Sequence, residues 1–145
     1  MEKELLNTFD KKLLLKDLCA RLPYNVICQV KFKENGKYNS KVMLLSGIFT
    51  DKAYFTTKGG SIYSNEYKPY LFPLSSMTDK DLIEFLQIKG MNLNKLKTFR
   101  REKIAIVSTL SSYSRHIDWL NAHHFDYRGL IEKGLAIDAT GLNIY

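Results

Sequence analysis

The stretch NVICQVKFKENGKYNSKVMLLSGIF, residues 25–49, alternates apolar and polar residues up to an Asn-Gly pair and then resumes a β-rich run. Val26, Cys28, Val30 and Phe32 fall on one face of an extended chain, the pattern of a half-buried strand. Asn35-Gly36 is the strongest short signal for a two-residue hairpin turn, because both residues tolerate positive φ. Residues 25–49 therefore read as a β-hairpin with one face on a core.

Working outward, KVMLLSGIF, AYFTTK and SIYSN are further short strands, separated by TD and GG. The pattern predicts an α+β fold. Its sheet is small and antiparallel, with about four to five short strands, and an SH3-like barrel is one compatible closure. About three helices flank it. TFDKKLLLKDLCARLPY is an amphipathic helix with Thr8 as N-cap, a mostly apolar stripe of Phe9, Leu13, Leu14, Cys19 and Leu22, and Pro23 as its stop. SSMTDKDLIEFLQIKG starts cleanly: Thr78 caps, Asp81 stands at the third helical position as a shortened capping-box acid, and Gly90 suits the exit. SYSRHIDWLNAHHF is the third helix. KIAIVSTL, residues 103–110, is compatible with strand or helix, and GLAIDATGLNIY is a tail able to add a strand.

The chain has 145 residues, enough for one domain that buries roughly two-thirds of its unfolded surface. There is no repeat, low-complexity tract or Pro/Gly-rich linker, so residues 1–145 read as a single domain. With 45% apolar and 26% charged residues, disorder is not expected. The first twelve residues lack the apolar centre of a signal peptide, and no apolar run spans a membrane. A cytoplasmic setting without membrane attachment is the expectation. Cys19 and Cys28 fit two small buried hydrophobes in a reducing compartment.

Net charge of +7 favours acidic partners. The densest basic run is KGMNLNKLKTFRREK, where Lys89, Lys95, Lys97, Arg100, Arg101 and Lys103 oppose only Glu102. Lys95, Lys97, Arg100, Arg101 and Lys103 suit phosphate contacts, with Phe99 placed to stack on a base. The plainer reading is a solvated loop. A second set, Lys31, Lys33, Lys37 and Lys41, decorates the first hairpin, where lysines also serve to discourage edge-to-edge association. YKPYLFPLSSM mixes prolines and aromatics; core packing is preferred there over a peptide groove lined by Tyr67, Tyr70 and Phe72.

In SYSRHIDWLNAHHF, a wheel at ~100° per residue puts Tyr113, Ile117, Leu120 and His124 on one stripe. His116, Trp119 and His123 form the adjacent stripe, the place to look for a functional face. His116 and His123 are two turns apart, over ~10 Å at ~1.5 Å per residue. They cannot share a zinc ion at ~2.0–2.1 Å from each ligand. No metal site, cofactor motif or catalytic set is assigned: there is no P-loop, no G-x-G-x-x-G and no nucleophile elbow. FDYRGLI reads as a tie between the last helix and the core, with Asp126 and Arg128 pairing or capping backbone and Gly129 permitting a positive-φ turn.

Three blocks, LLLKDLCARLPY, YKPYLFPLSSMT and IDWLNAHHFDYRGLIEKGLA, resemble a family of small uncharacterised proteins encoded by phages and prophages of gut Bacteroidetes. The resemblance implies a bacterial cytosol and a phage accessory role, and it supplies no catalytic residues. The sequence thus points to a non-enzymatic binding protein directed at nucleic acid. The alternative is an inhibitor or adaptor that engages a host protein. A His-dependent enzyme has the least support in the residues.

Overall fold

The computed structural model describes residues 8–49, 52–88, 90, 94 and 96–145. Helix α1 (Thr8–Arg21) gives way to a 3-10 turn over Leu22–Tyr24, where Pro23 removes a backbone donor. Asn25, at φ 58°, turns the chain into strand β1 (Ile27–Glu34). Asn35 (φ 51°) and Gly36 (φ 78°) make the expected tight turn into β2 (Lys37–Phe49). The register pairs Glu34 with Lys37, Lys33 with Tyr38 and Ile27 with Leu44. A bulge between Leu45 and Gly47 bends β2 before it pairs with β3 (Lys52–Thr57), and β4 (Gly60–Ser64) returns along β3.

A single residue, Asn65, joins β4 to β5 (Glu66–Pro73), yet β5 lies against the opposite edge of β1. The sheet must therefore curl until the end of β4 meets β1, and there the Ser64 hydroxyl donates to the Lys31 carbonyl at 2.6 Å. The curl stops short of closure. Strand order is β4-β3-β2-β1-β5-β6, and no ladder links β4 to β1 or β5 among the described residues. The sheet is open, which replaces the SH3-like barrel expected as one option.

It is also mixed rather than purely antiparallel, with seven strands instead of four to five. The extra strands, β6 (Phe125–Asp126) and β7 (Ile137–Asp138), are two residues each and run parallel to β5. They occupy opposite edges: the Phe72 N–H donates to the His124 carbonyl, while the Leu71 carbonyl accepts from the Ala139 N–H.

Five helices are described where about three were expected. Helix α2 (Asp79–Gln87) has a full capping box, Asp81 N–H to Thr78 Oγ1 and Thr78 N–H to Asp81 Oδ2. The additional pair is α3 (Leu96–Arg101) and α4 (Lys103–Leu110), so KIAIVSTL is helical. Its buried residues, Val107 and Leu110, are three apart, a helical spacing that presents both to the second core. Helix α5 is Ser114–Ala122.

Two apolar cores sit on either side of β5. The first combines Val26, Cys28, Val30, Met43, Leu45 and Phe55 of the inner sheet face with Leu14 and Leu18 of α1 and Leu130 and Leu135 of the C-terminal segment. The second joins Leu82, Phe85 and Leu86 of α2 with Val107, Leu110, Leu120 and Phe125. Leu71 faces the first and Phe72 packs on the second. Tyr67 and Tyr70 are likewise taken up by packing: Tyr67 lies 5.3 Å from Phe55, and Tyr70 is buried.

Helix α1 departs from the expected stripe. Its buried residues are Leu14, Asp17, Leu18 and Arg21, whereas Phe9 is 68% exposed and Cys19 faces solvent. The spacing 14, 17, 18, 21 is helical, but two of its members are charged. Asp17 and Arg21 form a buried ion pair at 2.7 Å. Cys28 is buried as expected, and burial pushes its thiol pKa well up.

Candidate nucleic-acid interface

The basic segment between α2 and α4 is largely occupied with structure. Lys89 and Lys95 lie outside the described residues. Phe99 packs against the second core, so it is not an open stacking platform. Arg100 Nε pairs with Asp79 Oδ1 at 3.2 Å. Lys103 Nζ donates to the Met77 carbonyl at 2.7 Å and to that of Ser75 at 3.2 Å, satisfying acceptors just ahead of α2. Lys97 and Arg101 are exposed on α3. The segment pins α3 and α4 to the start of α2.

The first hairpin is different, because its distal half projects past the first core. Lys31, Lys33, Lys37 and Lys41 are all exposed. The turn sets the register, the register puts Lys33 opposite Tyr38, and Lys33 Nζ stands 5.7 Å from the Tyr38 ring centroid. On the other face Lys41 Nζ is 5.6 Å from the Phe32 ring. Tyr38 and Tyr63 are each 63% exposed. Tyr63 is held by Tyr54, whose ring lies 4.9 Å away and whose hydroxyl donates to Ser61 Oγ at 2.6 Å.

Because the sheet curls without closing, β4 and the distal part of β1 bound an open groove of about 640 Å3. Lys31, Phe32, Lys33, Tyr38, Ile62 and Tyr63 line it, with Ser61, Ser64 and Asn65 adding polar groups and Glu66 a single carboxylate. Cations on flexible stems beside exposed ring faces suit a ligand that carries both phosphates and π-systems. Sequence reading noticed the four lysines but missed Tyr38 and Tyr63. The signal for Tyr38 was present, since an Asn-Gly turn at 35–36 fixes its pairing with Lys33.

The stripe of His116, Trp119 and His123 is a stack rather than an open face. His116 is 2% exposed, with its ring edge-on to Phe85 at 4.7 Å. Trp119, partly buried, is sandwiched between Phe125 at 5.7 Å and His123 at 3.9 Å, and His123 is exposed. The wheel fails at both ends. Tyr113 is the extended N-cap and is exposed, and His124 has left the helix at φ 61°. His124 stacks on Tyr145 at 3.6 Å. Burial lowers its pKa to about 4, and the neighbouring charges of Arg21 and His123 add to the effect.

The FDYRGLI segment is a structural tie. Asp126 accepts from the N–H groups of Leu130 and Ile131, both at 2.9 Å, around Gly129 at φ 72°. Tyr127 donates to Asn121 Oδ1 at 2.8 Å, and Arg128 Nε reaches Asp17 Oδ1 at 3.2 Å. Arg21 also donates to the Phe125 carbonyl at 2.6 Å. The segments LLLKDLCARLPY, YKPYLFPLSSMT and IDWLNAHHFDYRGLIEKGLA thus meet here: α1 through Asp17 and Arg21, β5 through Phe72, and residues 124–128. Asp17 and Arg21 were missed because nothing in their local sequence marks a charge as buried.

Among the described residues no group of three or more His, Cys, Asp or Glu side chains is placed to hold a metal ion, and no helix is long and apolar enough to cross a membrane. No family model, curated protein or solved structure matches the chain.

Proposed function

We propose that this chain is a non-enzymatic nucleic-acid-binding protein that contacts its ligand through the β1–β2 hairpin and the adjoining edge of β4. The observation that carries the reading is the side-by-side placement of Lys31 and Lys33 with the exposed rings of Tyr38 and Tyr63 around one groove. Lysines supply a salt-sensitive, sequence-tolerant attraction to phosphate. Exposed aromatic rings add stacking, which every base can satisfy. The overall charge of +7 extends the attraction beyond the groove, with Lys97 and Arg101 contributing from α3. This moves the main contact from the 95–103 segment to the hairpin, since Phe99, Arg100 and Lys103 already serve the fold.

The resemblance to phage-encoded proteins supports an accessory role in an infected bacterial cell. The second reading, an inhibitor or adaptor of a host protein, draws on the same exposed aromatics. An electrophoretic shift of labelled DNA and RNA at about 50 mM and about 200 mM salt separates the two. The expected result is a shift at low salt that weakens at high salt and disappears in Lys31→Glu/Lys33→Glu. Absence of any shift at low salt contradicts the proposal.

A further inference from the structure

We infer that the groove between β4 and the distal end of β1 takes a single strand of nucleic acid rather than a duplex; this rests on the nucleic-acid reading above. Three observations carry it. First, Tyr38 and Tyr63 are the most exposed aromatic rings at the groove, each 63% accessible. Stacking on such rings needs a base whose π-face is open, and in a duplex those faces are already covered by neighbouring bases. Second, the groove runs between two strand edges that the curl brings together and that share no ladder among the described residues: β1 pairs with β5 as far as Lys31, and β4 pairs with β3. An unpaired, flexible strand fits a slot of about 640 Å3 with rings on its walls. A duplex, with stacked bases and a wide cross-section, meets only its rim.

Third, the basic run on α3 and α4 is largely engaged with the fold and so does not present a clear recognition helix to a major groove. There Arg100 is paired to Asp79, Phe99 packs against the second core and Lys103 donates to two carbonyls. The cations that remain at the groove, Lys31 and Lys33, lie on β1 beside the rings, where they track a backbone while bases turn inward.

Fluorescence anisotropy with a labelled single strand of about 16 nucleotides, and with a duplex of equal length, tests this. The single strand is expected to bind at least about tenfold more tightly. Tyr63→Ala is expected to weaken it by roughly 5- to 100-fold, while Tyr63→Phe, which keeps the ring, stays near wild type. Both variants should keep the wild-type thermal transition, because the ring is mostly exposed. Equal or tighter binding of the duplex overturns the inference. So does an unaffected Tyr63→Ala, or full competition by a glutamate-rich peptide of similar length. In the first two cases loss of binding in Lys31→Glu/Lys33→Glu still upholds the nucleic-acid reading, whereas full competition by the peptide counts against that reading as well. If neither strand form binds, that reading fails and the inference with it.

Discussion

Arg21 and Asp17 lie one helical turn apart, both sealed from solvent, and their side chains meet at 2.7 Å. The same Arg21 reaches 2.6 Å to the carbonyl of Phe125, 104 residues away, and its guanidinium carbon lies 5.0 Å from the Tyr127 ring. Asp17 in turn receives Arg128 at 3.2 Å. This network ties α1 to the turn that follows α5. Removing one partner leaves a buried charge uncompensated, so Asp17→Ala is expected to destabilise the fold by about 3–5 kcal/mol. Replacing both, as Asp17→Leu/Arg21→Met, is expected to recover much of that loss. Chemical denaturation measures both, and a loss below ~1 kcal/mol in the single variant sinks the account of the network.

A second tie is sensitive to acid. His124 stacks on Tyr145, whose hydroxyl donates to the Tyr70 carbonyl at 2.8 Å and accepts the Ile27 N–H at 3.1 Å. The folded-state pKa of His124 is lowered from 6.5 to about 4. Between those values the unfolded chain takes up a proton that the folded chain refuses. Stability contributed by the neutral ring is therefore fully present above pH 6.5 and declines as pH falls towards 4. After allowance for partial exposure the effect is about 1–2 kcal/mol. His124→Asn, which tolerates the left-handed backbone, should flatten that part of the stability–pH curve; an unchanged slope contradicts the assignment.

Phe99 packs against the second core, which assigns it to the fold in the proposed account. Phe99→Ala is expected to cost about 2–3 kcal/mol, below the range for a fully enclosed phenylalanine. Its affinity for nucleic acid should equal wild type when both are measured well below the thermal transition. A selective loss of binding with stability intact would restore Phe99 to the interface.

The salt dependence of binding reports each phosphate contact. Lys33→Ala is expected to reduce the slope of log K against log salt by about 0.7, the contribution of one contact to a single strand. Lys97→Ala on α3 should change it less. The reverse order would place the ligand on the 95–103 segment.

What the sequence disclosed was local. Asn35-Gly36, the Thr78–Asp81 capping box and Pro23 act within a few residues, and each stands in the structure where expected. What it withheld was set by distant partners. Asp17 and Arg21 read as surface charges because the groups that compensate them lie near residues 125–128. The two-residue strand β6 has no periodicity of its own and exists because β5 offers it an edge, whereas β7 falls in the GLAIDATGLNIY tail that was read as able to add a strand. KIAIVSTL has a β-rich composition but is helical, since Val107 and Leu110 meet the second core at helical spacing. The proposed interface divides the same way. Its lysines were visible, whereas the groove depends on a curl that brings β4 back to β1.

The claim that this hairpin is the nucleic-acid surface is tested most directly by amide chemical-shift mapping during titration with a single-stranded oligonucleotide. The account predicts that the largest shifts cluster at Lys31–Tyr38 and Ser61–Ser64, with residues 96–103 and the His116–His123 stack little changed. Shifts concentrated on 96–103, or no shifts at low salt, would contradict it.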